Sequence, residues 1–152
     1  MRVLITGGTG FVGANLVHRL VKEGHTVVTN GSKDEQQLPP VRIYFPADFT
    51  QINWSQQGKF DVVFHQAAIT DPQHKYCPEV FRVNVDASMA LFRAVVDNGC
   101  KRIVYASSTA VYGKGKVPFK EDGELKPLAY YGESKRCLDG LAMAFAREHL
   151  DV

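Results

Sequence analysis

Thr6-Gly7-Gly8-Thr9-Gly10-Phe11-Val12-Gly13 is the stretch from which the rest of the chain is read. Before it, residues 2–6 form a short apolar, β-branched run that predicts a strand. After it, residues 11–23 carry Phe11, Ala14, Leu16, Val17, Leu20 and Val21 at helical spacing, and Gly24 closes the helix. Strand, glycine-rich turn and helix make one βα unit. Gly7, Gly10 and Gly13 stand three apart. The first permits the tight turn, the second lets backbone approach a pyrophosphate, and the third lets helix pack on strand. The amides of Phe11 and Val12 then open the helix at the positive end of its dipole, where phosphate is held. A Walker-type phosphate loop is excluded, because no Gly-Lys-Ser/Thr follows. A tight βα turn needs glycine with or without a ligand, so what carries the binding reading is the motif's place as the first βα connection of an alternating chain.

That alternation continues outward from the turn. Strands are predicted at 26–29, 41–45, 60–65 and 102–106, and helices at 79–98, stopped by Gly99, and at 130–149. A polar loop fills 30–40, and a longer one holds Gly113, Gly115, Pro118 and Pro127. Strands alternating with helices pair in parallel through right-handed crossovers. Near-continuous apolar strands imply helices on both faces. The expectation is an α/β doubly wound parallel sheet of the Rossmann kind, strand order 3-2-1-4-5, with the ligand crevice beside strands 1 and 4. Residues 1–152 are read as one dinucleotide-binding domain, cut before a substrate domain, because the chain stops at Asp151-Val152 just where another strand would begin.

Composition narrows the class. A chain of 152 residues with 45% hydrophobic and 22% charged residues suits one globular domain. A net charge of +2, with Lys and Arg scattered among acids, gives no basic stripe for nucleic acid. No apolar run has the length of a membrane span, and the N-terminus enters a strand at once, so a cytoplasmic location is expected. Cys77, Cys100 and Cys137 are odd in number and form no CxxC pair, which predicts buried or partly buried free thiols. The five histidines lack ligand spacing, and no metal site is expected. The sequons at Asn30 and Asn53 are read as chance.

Cofactor choice is read at the end of strand 2, where an acid normally takes the ribose 2′-hydroxyl of NAD. Here Asn30 stands near that point, followed by Ser32 and Lys33. Asn30 cannot repel a 2′-phosphate, and Ser32 with Lys33 can receive one. NAD or NADP is expected, with a lean toward NADP; a plain solvated loop is the alternative.

Tyr131 and Lys135, four apart on the last helix, project from one face. Residues 105–113, YASSTAVYG, place hydroxyls at the carboxyl end of strand 5, where such sheets bind ligands. A phenol with a reference value of about 10 is a poor base at neutral pH. A cation about 5 Å away, at an effective dielectric near 20, contributes roughly 3 kcal/mol, or about two pH units. Lys135 and an oxidised nicotinamide can together supply that field, while a serine hydroxyl holds the substrate oxygen. Taken alone, YxxxK on a helix more often means packing.

Taken together, TGGTGFVG at 6–13, His65-Gln-Ala-Ala68, Asn84-Val85, SSTAVYG at 107–113 and YGESK at 131–135 make the chain resemble the extended short-chain dehydrogenase/reductase family, the group of nucleotide-sugar epimerases and dehydratases. The resemblance implies Tyr131 as catalytic acid or base, Lys135 as the residue that orients the ribose and activates the tyrosine, and Ser108 as the group on the reacting oxygen. It likens Asp48, with Phe49 beside it, to the adenine-contacting acid, Ala67 and Ala68 to the backbone wall of the cofactor site, and Asn84 to the helix asparagine. From the residues alone, Asp48 can equally cap a turn, Asn84 can be a satisfied buried polar group, the alanines can be close packing, and Thr109 and Tyr112 can be loop packing. The function implied is an NAD(P)-dependent epimerase or reductase of a nucleotide sugar or similar substrate. The alternative is a non-catalytic dinucleotide-binding or subunit-pairing module. Two departures matter: Thr109 and Ala110 stand where dehydratases carry an acidic pair, and family members are about twice this length. A homodimer through helices near 79–98 and 130–149 is expected by the same resemblance.

Overall fold

β1 (Arg2–Thr6) is buried from Val3 to Thr6, side chains of both faces included, as a strand sandwiched between helical layers must be. It pairs in parallel with β2 (Thr26–Asn30) on one side, Val3 opposite Val27, and with β4 (Val62–His65) on the other, Ile5 opposite Phe64. β3 (Ile43–Phe45) extends the sheet beyond β2, and β5 (Ile103–Tyr105) extends it beyond β4. The order β3-β2-β1-β4-β5, all parallel, is the doubly wound arrangement that the alternating sequence predicts. The computed structural model describes residues 1–31, 38–71 and 73–149.

β3, β4 and β5 are shorter than their apolar runs. The flanking residues still hydrogen-bond to the ladder: Arg42 N–H donates to the Val27 carbonyl at 2.9 Å, and Ala106 N–H to that of His65 at 3.1 Å.

The chain divides into two compact units. The first comprises Met1–Ala67 and Leu91–Ala106 and holds the whole sheet with α1 (Phe11–Lys22). Its core on one face is Val3, Ile5, Val17 and Val27, with Leu16, Leu20 and Val21 packed against them. The helical stripe read from the sequence is therefore real at four of its six positions. Phe11 departs from it: in the first turn of α1 its ring is 88% exposed. Elsewhere in the unit, the His65 ring meets the edges of Phe49 and Phe92 at centroid distances of 5.0 and 5.5 Å. α1 ends where Gly24 takes φ +79°, the left-handed conformation expected of a residue just past a helix.

The second unit holds Ala68–Ala90 and the residues from Ser107 onward. Here the helix expected at 79–98 is corrected. It starts earlier, as α2 (Cys77–Phe81), passes through a π-helical turn (Arg82–Ala87), and only then continues as α3 (Ser88–Asp97), whose residues from Leu91 onward belong to the first unit. A π turn inserts one residue and rotates the inward face, so Val83, Asn84 and Val85 are buried in succession. Hydrophobic spacing cannot report a single inserted residue. α4 (Tyr130–His149) matches its prediction and buries Gly132, Ser134, Lys135, Leu138, Ala142 and Phe145 along one stripe. Cys137 lies off that stripe and is exposed, which corrects the expectation that every thiol is at least partly buried. Cys100 is buried, and burial pushes its thiol up from the usual range.

A Cβ at Gly13 would lie 2.2 Å from the Gly7 carbonyl oxygen and 2.8 Å from its carbon, so only backbone is available to give way. Gly13→Ala is expected to cost about 1–3 kcal/mol, the usual penalty of overpacking. Urea unfolding followed by fluorescence of Trp54, the single tryptophan, checks it. An unchanged midpoint would mean that α1 does not rest on the Gly7 turn as described.

Candidate functional site

In the first unit the glycine turn is held from below by β2 and β4. Gly7, at φ +71°, donates its N–H to Asn30 Oδ1 at 3.2 Å, and Gly8 N–H donates to the Asn30 carbonyl at 2.8 Å. A Cβ on Gly7 would sit 2.9 Å from the Ala67 nitrogen, so turn and β4 terminus meet backbone to backbone. Ala67 is fixed in turn by Thr6. The amides of Gln66 and Ala67 both donate to Thr6 Oγ1 at 3.2 Å, and the Thr6 oxygen lies 2.7 Å from His65 Nδ1. With two donors pointing at the oxygen, the one hydroxyl proton goes to Nδ1, which assigns His65 the tautomer protonated at Nε2.

Gly10 is the N-cap of α1 and has no side chain to cap the amides of the first turn, and no acid stands in that turn. The N–H groups of Phe11, Val12 and Gly13 are the donors that a helix leaves without an internal partner. Their dipole favours an anion, and the absence of side-chain volume at Gly7 and Gly13 leaves room for backbone approach. These residues fit the diphosphate of a dinucleotide.

The other cofactor candidates divide. Asn30 is 2% exposed, and its side chain bonds to Gly7 N–H and, through Nδ2, to the Ala47 carbonyl at 2.9 Å. It ties β2 to the turn, whereas the sequence reading had it at the ribose. Ser32 and Lys33 lie outside the described residues. Asp48 is exposed and caps a 3-10 turn (Phe49–Gln51), accepting Thr50 N–H at 2.8 Å. Phe49 gives its ring to the core beside His65, and its carbonyl accepts the Trp54 indole N–H at 2.9 Å.

The second unit gathers the hydroxyl and amine groups. Ser108 opens a 3-10 turn (Thr109–Val111): its Oγ accepts Ala110 N–H at 3.1 Å and keeps its own proton to donate. Ser108, Ala110, Phe119, Leu128 and Tyr131 line a cavity of about 340 Å³. Tyr112 stacks on Phe119 at 5.0 Å, closing that loop on itself. Lys135, one turn along α4 from Tyr131, is 3% exposed, with Nζ 6.0 Å from the Tyr131 ring centroid. Burial holds its amine below the usual value, and Asp139 opposes that shift.

Asn84, turned inward by the π segment, is both a satisfied buried group and a link. Its Oδ1 accepts Ile69 N–H at 2.8 Å, directly after Ala68, and its Nδ2 donates to the Ile69 carbonyl at 2.9 Å and to Ser134 Oγ at 3.1 Å. Ser134 passes its proton to the Tyr131 carbonyl at 2.7 Å. Of the residues singled out in the sequence, the structure thus brings Ser108, Tyr131, Lys135, Ala68 and Asn84 into one unit, and Gly7, Gly10, Phe11, Val12, Gly13, Asn30, Asp48, Phe49 and Ala67 into the other. Thr6, Ser107, Ser134 and Asp139 were missed. Ser134 could have been found, since it stands inside YGESK, directly before the lysine.

The doubly wound parallel sheet with its anion-receptive glycine turn puts the chain in the Rossmann class of folds, and the other unit carries the Ser/Tyr/Lys group. The chain belongs to the NAD dependent epimerase/dehydratase family, whose pattern matches residues 3–152. It is 36% identical over 133 residues to a UDP-N-acetyl-alpha-D-glucosaminuronate decarboxylase of Bacillus cytotoxicus, covering 81% of this chain and 41% of that enzyme. It is 32% identical over 156 residues to a UDP-glucose 4-epimerase of Lactobacillus helveticus, covering 96% of this chain and 47% of the relative. Among solved structures, MoeE5 in complex with UDP-glucose and NAD superposes with a TM-score of 0.86 at 36% identity, over 96% of this chain and 49% of that one. The chain spans about half the length of the relatives it matches. Among the described residues no helix is long and apolar enough to cross a membrane, and no group of three or more His, Cys, Asp or Glu is placed to hold a metal ion.

The burial of Lys135 gives a signed pH dependence. Its folded value lies below the reference of 10.5, so between the folded value and 10.5 the unfolded chain binds more protons than the folded one. Stability contributed by this group therefore rises with pH through that window. Below the window, lysine is charged in both states and the folded chain bears the full burial cost. Wild type is expected to gain stability relative to Lys135→Met as pH climbs toward 10.5, read from paired urea titrations. A stability difference that stays flat or narrows the other way would contradict the assignment.

Proposed function

We propose that this chain forms the dinucleotide-binding and acid/base portion of an NAD(P)-dependent enzyme that epimerises or reduces a nucleotide sugar or similar substrate. The observation that carries the reading is that Ser108 and Tyr131 line one cavity, with Lys135 buried one helical turn behind the tyrosine. The glycine turn with the Phe11 and Val12 amides holds the diphosphate, and Ala67 and Ala68 form backbone walls. When bound, the nicotinamide dinucleotide supplies hydride acceptance and donation.

The chain's own groups handle the proton and the oxygen. Ser108 donates its free O–H to the substrate oxygen and fixes it in the cavity. The Tyr131 phenol takes the proton of the substrate hydroxyl as that carbon is oxidised, and gives it back when the carbonyl is reduced. The Lys135 ammonium, buried one turn along α4, stabilises negative charge on the phenol oxygen. Thr109 and Ala110 supply no second acid to expel water, so elimination is not part of the proposal.

Nucleotide sugars are favoured as substrates because the relatives that match are nucleotide-sugar enzymes. NADP is favoured modestly over NAD, on Asn30 in place of an acid with Ser32 and Lys33 after it. A homodimer through α2–α3 and α4 is supported by Leu141 and Met143, which are 44% and 58% exposed on α4. A cytoplasmic location completes the reading. A second reading is a module that binds dinucleotide or pairs with a subunit but turns nothing over, for which the glycine turn and the exposed Leu141 and Met143 suffice.

Calorimetric titration with NAD, NADH, NADP and NADPH is expected to give saturable binding, tighter for the phosphorylated pair. With a panel of UDP- and dTDP-sugars, Tyr131→Phe is expected to cut turnover roughly 10²–10⁴-fold and to leave dinucleotide affinity within a factor of about two. Binding without turnover on any of the panel would favour the second reading, and no binding of any of the four would sink both the enzymatic and the dinucleotide-binding readings of this chain, leaving subunit pairing alone. The dimer is checked separately by sedimentation against concentration: a strictly monomeric species at high concentration would rule it out.

A further inference from the structure

Outside the Ser/Tyr/Lys group, the second unit contains a short hydrogen bond that the proposed chemistry leaves unused: Ser107 Oγ donates to Asp139 Oδ2 at 2.6 Å. Ser107 sits two residues after the end of β5 and next to Ser108, while Asp139 lies on α4, four residues beyond Lys135. Residues four apart on a helix share a face, so the carboxylate lies on the same side as the lysine. The remaining charged residues near this turn of α4 are engaged with each other, Arg136 bonding to Glu133 at 3.1 Å.

We propose that Asp139, anchored by the Ser107 hydroxyl, is a positioning residue for Lys135: its carboxylate keeps the buried ammonium charged and held toward Tyr131. The inference rests on the reading of Lys135 as part of the acid/base group and deepens it. Lys135 is 3% exposed, and a cation removed from water needs an opposite charge to persist as a cation. On α4 the Tyr131 ring centroid is 6.0 Å from Nζ, and the Asp139 carboxylate, one turn further along, acts on the amine electrostatically. Asp139 pushes the amine up against the larger effect of burial, which pulls it down. From the loop after β5, Ser107 faces Asp139 with a neutral donor, and a charge-assisted bond of 2.6 Å fixes the carboxylate without neutralising it. The adjacent serines thus divide their work, Ser108 toward the cavity and Ser107 toward the residue behind the lysine. Asp139 does not itself touch the substrate in this scheme.

The test uses the full chain with lysine carrying ¹³C at Cε. The Lys135 resonance is identified by its disappearance in Lys135→Arg, and its titration midpoint is read by NMR. Asp139→Asn is expected to move that midpoint down, Ser107→Ala to move it down by less, and Asp139→Glu to restore it toward the wild-type value. A midpoint unmoved in Asp139→Asn overturns the proposal. Should Asp139→Asn fail to fold, as judged by circular dichroism, Ser107→Ala decides alone, and no shift there overturns it. A calorimetric titration of Lys135→Ala with NADP separates this from the functional reading. If that variant binds as wild type does while Asp139→Asn still shifts the midpoint, Asp139 stands as the positioning residue and the role of Lys135 at the ribose falls.

Discussion

The backbone of Gly7 rests on the backbone of Ala67, and Gly13 rests on the carbonyl of Gly7. Neither contact leaves room for a Cβ. These two approaches set how close α1 comes to the sheet and where β4 ends relative to β1. They also explain why Gly7 and Gly13 bring only backbone to the turn. A turn filled by side chains would have satisfied its own donors and kept an anion at a distance. The Thr6 hydroxyl then does for the floor of the turn what a side-chain cap would have done for its roof: one oxygen collects two amides and passes its proton to His65. Satisfying every buried polar atom locally lets a loop so short in side chains remain rigid, and among the described residues no buried side-chain polar atom lacks a partner.

Most of the fold was legible because it is carried by period. Apolar runs of strand length, helical spacing in α1 and α4, and glycines just past the helices act locally and leave marks along the chain. Right-handed crossovers imply parallel pairing, and the strand order followed from the doubly wound arrangement, whose winding reverses at strand 1. What escaped was set by tertiary partners. Phe11 satisfies the helical stripe yet is 88% exposed. Asn30 stands where an acid often meets ribose, but whether its amide turns outward or under the turn depends on Gly7 and Ala47, 23 and 17 residues away. The π turn at Arg82–Ala87 has no periodic signature at all.

The site was legible in its types and less so in its supports. Ser108, Tyr131 and Lys135 could be named from spacing and from the resemblance of the ordered motifs, whereas the groups that hold them could not. Asn84 reaches Tyr131 only through Ser134, and that chain exists because the inserted residue of the π turn rotates the asparagine inward. Such links join positions 50 residues apart, and a single sequence has no means of displaying them.

Lys135 bears on the choice between a catalytic and a merely binding chain. Placing an amine at 3% exposure, with burial pulling against its charge, works against folding. A methionine or leucine at that position of the α4 stripe would pack without the penalty. A module that only binds a dinucleotide can use the glycine turn, the first amides of α1 and a lysine at the ribose, but none of these requires the ammonium to be buried beside a tyrosine. A chain that must steady charge on the phenol oxygen gains directly, because the same low-dielectric setting that makes the lysine costly makes its field strong. The local rule broken at Lys135 is thus better accounted for by chemistry at Tyr131 than by packing, and it tilts the balance of the two readings toward catalysis.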